Sequence, residues 1–78
     1  MDKVQRLARL REMARQDGVL RDIRERHHLS LMDIARSVGC DPSAVGRWER
    51  GERVPRGGSA ERYARLIERL DGEARAAS

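Results

Sequence analysis

Threonine and phenylalanine do not occur in this 78-residue sequence, cysteine, tryptophan and tyrosine occur once each, and proline and histidine twice each. Each scarcity excludes something. A single Cys closes no internal disulfide, so the disulfide-dense secreted scaffolds are excluded and a reducing, cytoplasmic setting is expected. Without Thr, and without any alternating run of β-branched residues, no segment reads as a strand. No apolar run approaches the roughly 18 residues of a membrane span. The start, Met1-Asp2-Lys3-Val4-Gln5-Arg6, begins charged and never becomes an apolar run, so it is not expected to be a signal peptide. The Arg-rich amphipathic segments carry no aromatic anchor for a membrane surface. His27 and His28 are adjacent, so on a helix they do not face each other, and with one Cys no metal-ligand cluster forms. No triad context and no glycine-rich phosphate loop after a strand is present. The sequence reads as no enzyme, with no cofactor and no metal.

What is present is arginine. Lys+Arg number 17 against 13 Asp+Glu, for a formal net charge of +4, and Lys3 is the single lysine. The sequence pI of about 10.5 fits an anionic partner, without separating nucleic acid from acidic protein. The excess is spread thinly: residues 1–17 carry +2, 18–29 carry +1, 30–57 carry +1 and 58–78 carry 0. Total charge is therefore a weaker clue than the placement of individual arginines.

The length allows one small domain, and apolar periodicity divides it into helices. Val4, Leu7, Leu10 and Ala14 recur at spacings of three and four over residues 2–16. Asp17-Gly18 interrupts the pattern, with Asp17 placed to cap the next helix; whether residues 2–27 form one helix or two stays open. A second segment, 19–27, turns Leu20 and Ile23 inward. Ser30 then begins a helix with Asp33 three residues on, a variant of the capping box, and Leu29 with Ile34 forms a hydrophobic staple. Gly39 ends that helix. After Gly39-Cys40, Asp41 caps a third helix with Pro42 at its first position, running to about Arg50. Cys40 is read as a small core residue and Trp48, in phase with Val45, as core rather than a base-stacking platform. Residues 51–58 form a loop by their Gly and Pro content. Ser59 caps a last helix, with Ala60, Tyr63, Ala64, Ile67 and Leu70 as its apolar stripe and Gly72 as its end. The organisation expected is an extension helix in 1–17, a domain in 18–72 and a flexible tail in 73–78.

Two short capped helices separated by a three-residue turn make a helix-turn-helix. The run from Ser30 to Gly51, Ser-Leu-Met-Asp-Ile-Ala-Arg-Ser-Val-Gly-Cys-Asp-Pro-Ser-Ala-Val-Gly-Arg-Trp-Glu-Arg-Gly, with Pro55 after it, resembles the Cro/C1-type (XRE) family of phage repressors and bacterial regulators. The resemblance covers about 19–70, and Trp-Glu-Arg-Gly with the trailing Pro is its most recognisable mark. It implies an all-α, compact four- to five-helix bundle that binds double-stranded DNA through the second helix of the motif. The sequence departs in two ways: nothing after Gly72 is long enough for the dimerising fifth helix, and residues 1–17 add a helix ahead of the usual first. Homodimeric and monomeric binding both stay open.

On helix 42–50, Ser43, Gly46, Arg47 and Arg50 share one face at i, i+3, i+4 and i+7. Small residues would let the backbone approach a major groove. Arg47 is the expected base reader, since a guanidinium bonds guanine O6 and N7 together. Ser43 is a second candidate, and Pro42 and Ala44 offer apolar contacts to thymine methyl groups. Phosphate contacts are expected from Ser30 and the N–H groups of Leu31 and Met32 at a helix N-terminus, and from Arg50, Arg53 and Arg56. Glu49 on the same helix would repel phosphate unless paired. The resemblance supplies Arg24 as its structural partner. The basic stretch from Lys3 to Arg15 reads by default as a solvated face, with a second DNA contact or a dimer helix as alternatives.

The function expected is sequence-specific regulation of transcription, as a repressor that acts by occupying its site. The alternative is a protein-interaction module, as in antitoxins of this fold, using residues 2–16 and binding DNA secondarily.

Overall fold

A computed structural model describes residues 2–77, with side chains described for residues 2–72. Five helices make up the chain in order: α1 (Lys3–Arg15), α2 (Val19–Arg26), α3 (Leu31–Val38), α4 (Pro42–Glu49) and α5 (Gly57–Ala77). Among the described residues there is no strand, and the architecture is the all-α bundle expected.

Local chemistry sets most of the boundaries. Asp2 and Gln5 form a capping box, the Gln5 N–H donating to Asp2 Oδ1 at 2.8 Å and the Asp2 N–H to Gln5 Oε1 at 3.2 Å. Residues 2–27 are two helices. The break is at Gly18, whose φ of 77° is left-handed, a conformation that costs glycine little. Gly18 itself is the N-cap of α2 and no side chain caps there, so Asp17 does not take the expected role. α2 ends at His27, whose Nε2 lies 2.8 Å from the Leu70 carbonyl oxygen of α5.

Two expectations about α5 are corrected. The helix starts at Gly57, so Ser59 lies inside it and is not its cap. Gly57, at φ 69°, is the pivot from the preceding loop. Nor does Gly72 end it: the helix continues to Ala77, because one glycine in a helix costs only about 1 kcal/mol relative to Ala. Residues 73–77 of the expected tail are helical, and Ser78 lies outside the described residues.

The core draws on all five helices: Leu10; Leu20 and Ile23; Ile34, Ala35 and Val38; Val45 and Trp48; and Tyr63, Ala64, Leu66, Ile67 and Leu70. α5 is the central element, packing on α1, α2 and α3. The Trp48 and Tyr63 ring centroids lie 4.9 Å apart at 32°, a favourable tilted arrangement. The Tyr63 hydroxyl is buried without a hydrogen-bond partner among the described residues, and burial pushes its pKa up. α1 contributes less than its periodicity promises. Leu10 is its one buried residue, and Val4 is 77% exposed. The helix lies along the outside of α5 and α2, so one turn of its stripe meets the core.

Candidate nucleic-acid interface

The α3–α4 pair is set by a tight turn. Gly39 adopts φ 81°, and the N–H groups of Gly39 and Cys40 both donate to the Ala35 carbonyl, at 2.7 and 3.0 Å. Ile34, Ala35 and Val38 of α3 and Val45 and Trp48 of α4 are buried in one core. The Arg62 Nε donates to the Val38 carbonyl at 2.7 Å. A cation at a helix C-terminus is favoured by the dipole, and it satisfies an orphan carbonyl. Sequence reasoning missed Arg62 as a positioning residue. It lies 24 residues from its acceptor and carries no local signal.

α4 presents its residues unevenly. Ser43, Arg47 and Arg50 are exposed, and Pro42 and Ala44 are half-buried. Gly46 is buried, which corrects its placement on the open face. A Cβ built there would lie 3.2 Å from Arg50 Nη1 and 3.7 Å from Leu31 Cδ1. Gly46 therefore sits beneath two side chains and lets α3 and Arg50 close over α4. On that side a groove is lined by Arg24, Leu31, Gly46, Glu49 and Arg50. On the other side a groove is lined by Ala44, Trp48, Glu52, Arg53, Val54 and Arg56. Arg47 lines neither and stands on the ridge between them.

The carboxylates around α4 are engaged. Asp41 Oδ1 accepts from the Ser43 N–H at 2.8 Å and from the Ser43 hydroxyl at 2.7 Å. These bonds to Ser43 hold the Asp41 carboxyl below the ordinary carboxylate range, helped by the nearby Arg47 charge. Glu52 pairs with Arg50. Glu49 takes a forked bond from α2: Arg24 Nε donates to Oε2 at 2.7 Å and Nη2 to Oε1 at 3.1 Å. Arg24 Nη1 also donates to the Leu29 carbonyl at 2.9 Å. Glu49 raises the Arg24 pKa through this bond. Arg47 makes no ion pair among the described residues.

The phosphate candidates fall into two groups. At the start of α3 the Asp33 N–H donates to the Ser30 hydroxyl at 3.0 Å and the Ser30 N–H to Asp33 Oδ2 at 2.8 Å. The box leaves the N–H groups of Leu31 and Met32 as first-turn donors. Leu31 is half-buried and Met32 exposed. Asp33 places a carboxylate at this same helix end, held below its ordinary pKa by the bonds to Ser30. The second group is Arg50, Arg53 and Arg56, all exposed. Arg50 is shared with Glu52. Arg53 and Arg56 have no ion pair among the described residues and line the groove beside Ala44 and Trp48.

A family model described as helix-turn-helix matches residues 20–70, which takes in α2 from its second residue, α3, α4 and most of α5 and leaves α1 outside. The chain gives no significant match among curated proteins or solved structures. Among the described residues, no helix is long and apolar enough to cross a membrane.

Proposed function

This chain belongs to the Cro/C1-type (XRE) helix-turn-helix family of DNA-binding transcription regulators, and on that premise we propose that it is a repressor that lays α4 in the major groove of a specific duplex site. The observation that carries the reading is the state of charge along α4. Glu49 and Glu52 are each paired with an arginine, Asp41 is engaged as the helix cap by Ser43 and keeps its charge, and Arg47 stands exposed and unpaired among the described residues. A ridge with two of its carboxylates neutralised and one guanidinium projecting suits a phosphate-lined groove. In this reading Arg47 reads guanine, and the Ser43 hydroxyl turns from Asp41 to a base edge or phosphate. Pro42 and Ala44 touch thymine methyl groups. Arg50, Arg53 and Arg56, with the first turn of α3 at Ser30, Leu31 and Met32, hold the backbone and set register. The protein represses by occupying the site. It binds as a homodimer on a palindrome or as a monomer on a single half-site, a choice the mass of the complex decides.

The test is selection of a preferred duplex from a random pool, then titration of that duplex and a scrambled one at several salt concentrations. A specific reader keeps a preference of about 10³-fold or more. Equal binding to both overturns site recognition. Binding to neither supports a protein-interaction module acting through residues 2–16.

A further inference from the structure

Three of the arginines without an ion pair among the described residues converge on one cleft. Arg11 and Arg15 of α1 and Arg53 and Arg56 of the α4–α5 connection line it, over a floor that includes Ala14 and Pro55. Of these four, only Arg15 has a carboxylate partner among the described residues, Glu12 at 3.2 Å, and both side chains of that pair are well exposed. Elsewhere on α1 the pattern is opposite: Arg6 pairs with Glu68 and Arg9 with Asp71 of α5. The arginines of α1 that face α5 are therefore neutralised from another helix, whereas Arg11 has no ion pair among the described residues and Arg15 pairs within α1 through the exposed Glu12. Arg11 and Arg15 are spaced i,i+4, which places them on one helix face. The Ala14 carbonyl lies 3.3 Å from a Cβ built at Gly51, so the last turn of α1 rests directly against the chain leaving α4. Four guanidiniums gathered around one opening repel one another, and an anion relieves that cost. The cleft is also continuous with α4. Arg53, Val54 and Arg56 form a wall shared with the groove beside Ala44 and Trp48.

We infer that α1 is a second DNA-contacting element, with Arg11 and Arg15 joining Arg53 and Arg56 to hold backbone phosphates of the duplex strand that runs past the C-terminal end of α4. The inference rests on the DNA-binding reading of α4 and extends its footprint beyond the matched residues 20–70. Such contacts carry affinity and salt dependence and read no sequence.

The experiment is a salt titration of binding to one mixed-sequence 30-base-pair duplex. It compares wild type with Arg11→Ala/Arg15→Ala and with Arg65→Ala/Arg69→Ala, which removes the same charge from α5. Each phosphate contact contributes about 0.9 to the slope of log K against log salt. The α1 double variant is expected to lose about 2 from that slope, the α5 variant to keep the wild-type slope, and Arg11→Lys/Arg15→Lys to restore it. The restored slope separates a lost contact from a lost fold. An unchanged slope in the α1 variant, or equal losses in the α1 and α5 variants, overturns the assignment while leaving the α4 reading intact. A wild-type protein that binds no duplex at low salt overturns both.

Discussion

Arg24 reaches from α2 to grip Glu49 on α4 with two parallel hydrogen bonds of 2.7 and 3.1 Å, and the two side chains are 12% and 6% exposed. The pair ties α4 to α2 and neutralises a negative charge beside the ridge that carries Arg47. Truncating one member leaves the other charge buried and unpaired, a loss of about 3–5 kcal/mol. Arg24→Ala is therefore expected to lower the Tm well below that of Arg47→Ala, which removes an exposed side chain. Thermal unfolding of the two variants side by side checks this, and equal Tm values contradict it.

The proposed function gives Arg47 and Arg53 different parts in binding. Loss of a bidentate guanidinium–guanine contact costs about 1–3 kcal/mol of discrimination. Arg47→Ala should therefore bring the affinities for a selected and a scrambled duplex together. Arg53→Ala should weaken both alike and reduce the salt slope by about 1. An Arg47→Ala protein that keeps its full preference would remove Arg47 as the base reader.

Glycines 39 and 46 respond in opposite ways to alanine. At Gly39, φ 81° puts any L side chain in the left-handed region, at about 1–2 kcal/mol. At Gly46 the backbone is helical, and the nearest atom to a new Cβ is the end of the flexible Arg50 side chain at 3.2 Å. Alanine gains about 1 kcal/mol of helix propensity there. Gly46→Ala is expected to match or exceed wild-type stability and Gly39→Ala to fall below it, in denaturant titrations. Gly46→Leu meets Leu31 as well and should destabilise by about 1–3 kcal/mol.

Acid sensitivity should trace to the caps. The Asp33 carboxyl is lowered by its bonds to Ser30, and that of Asp41 by its bonds to Ser43. A carboxyl with a lowered folded-state pKa takes up its proton more readily in the unfolded chain. Its stabilisation is complete above the ordinary carboxylate range and is lost as pH falls through the lowered folded value. Tm measured from pH 6 to pH 2 should drop below about pH 4, and Asp33→Asn and Asp41→Asn should each make that drop shallower. An identical drop in both variants would place the acid-sensitive groups elsewhere.

Much of the architecture is local and therefore legible. Ser30 with Asp33, Asp41 before Pro42, and Gly39 between them each satisfy backbone groups within three or four residues. The turn and the two helices of the motif result from these. The ends of α5 depart from the local reading because the same kinds of signal, Ser59 and Gly72, lie inside a helix held by Tyr63, Ala64, Ile67 and Leu70 against three others. Packing outweighs a single helix-breaking residue. Helical phase puts Gly46 on the open face, since phase carries no information about how far Leu31 and Arg50 reach over it.

The sequence alone determined the element types, the helix-turn-helix and the identity of the candidate DNA-reading helix, because caps, glycines and apolar period act over one or two turns. Apart from the Arg24–Glu49 pair, which the family resemblance supplied and the structure forms, only the tertiary structure decided which charges are spent. Arg6 and Arg9 each find a carboxylate 62 residues away, and Arg11 and Arg15 meet Arg53 and Arg56 across a cleft. Ion pairing depends on distance in space, which a linear sequence of alternating charges does not encode until the helices pack.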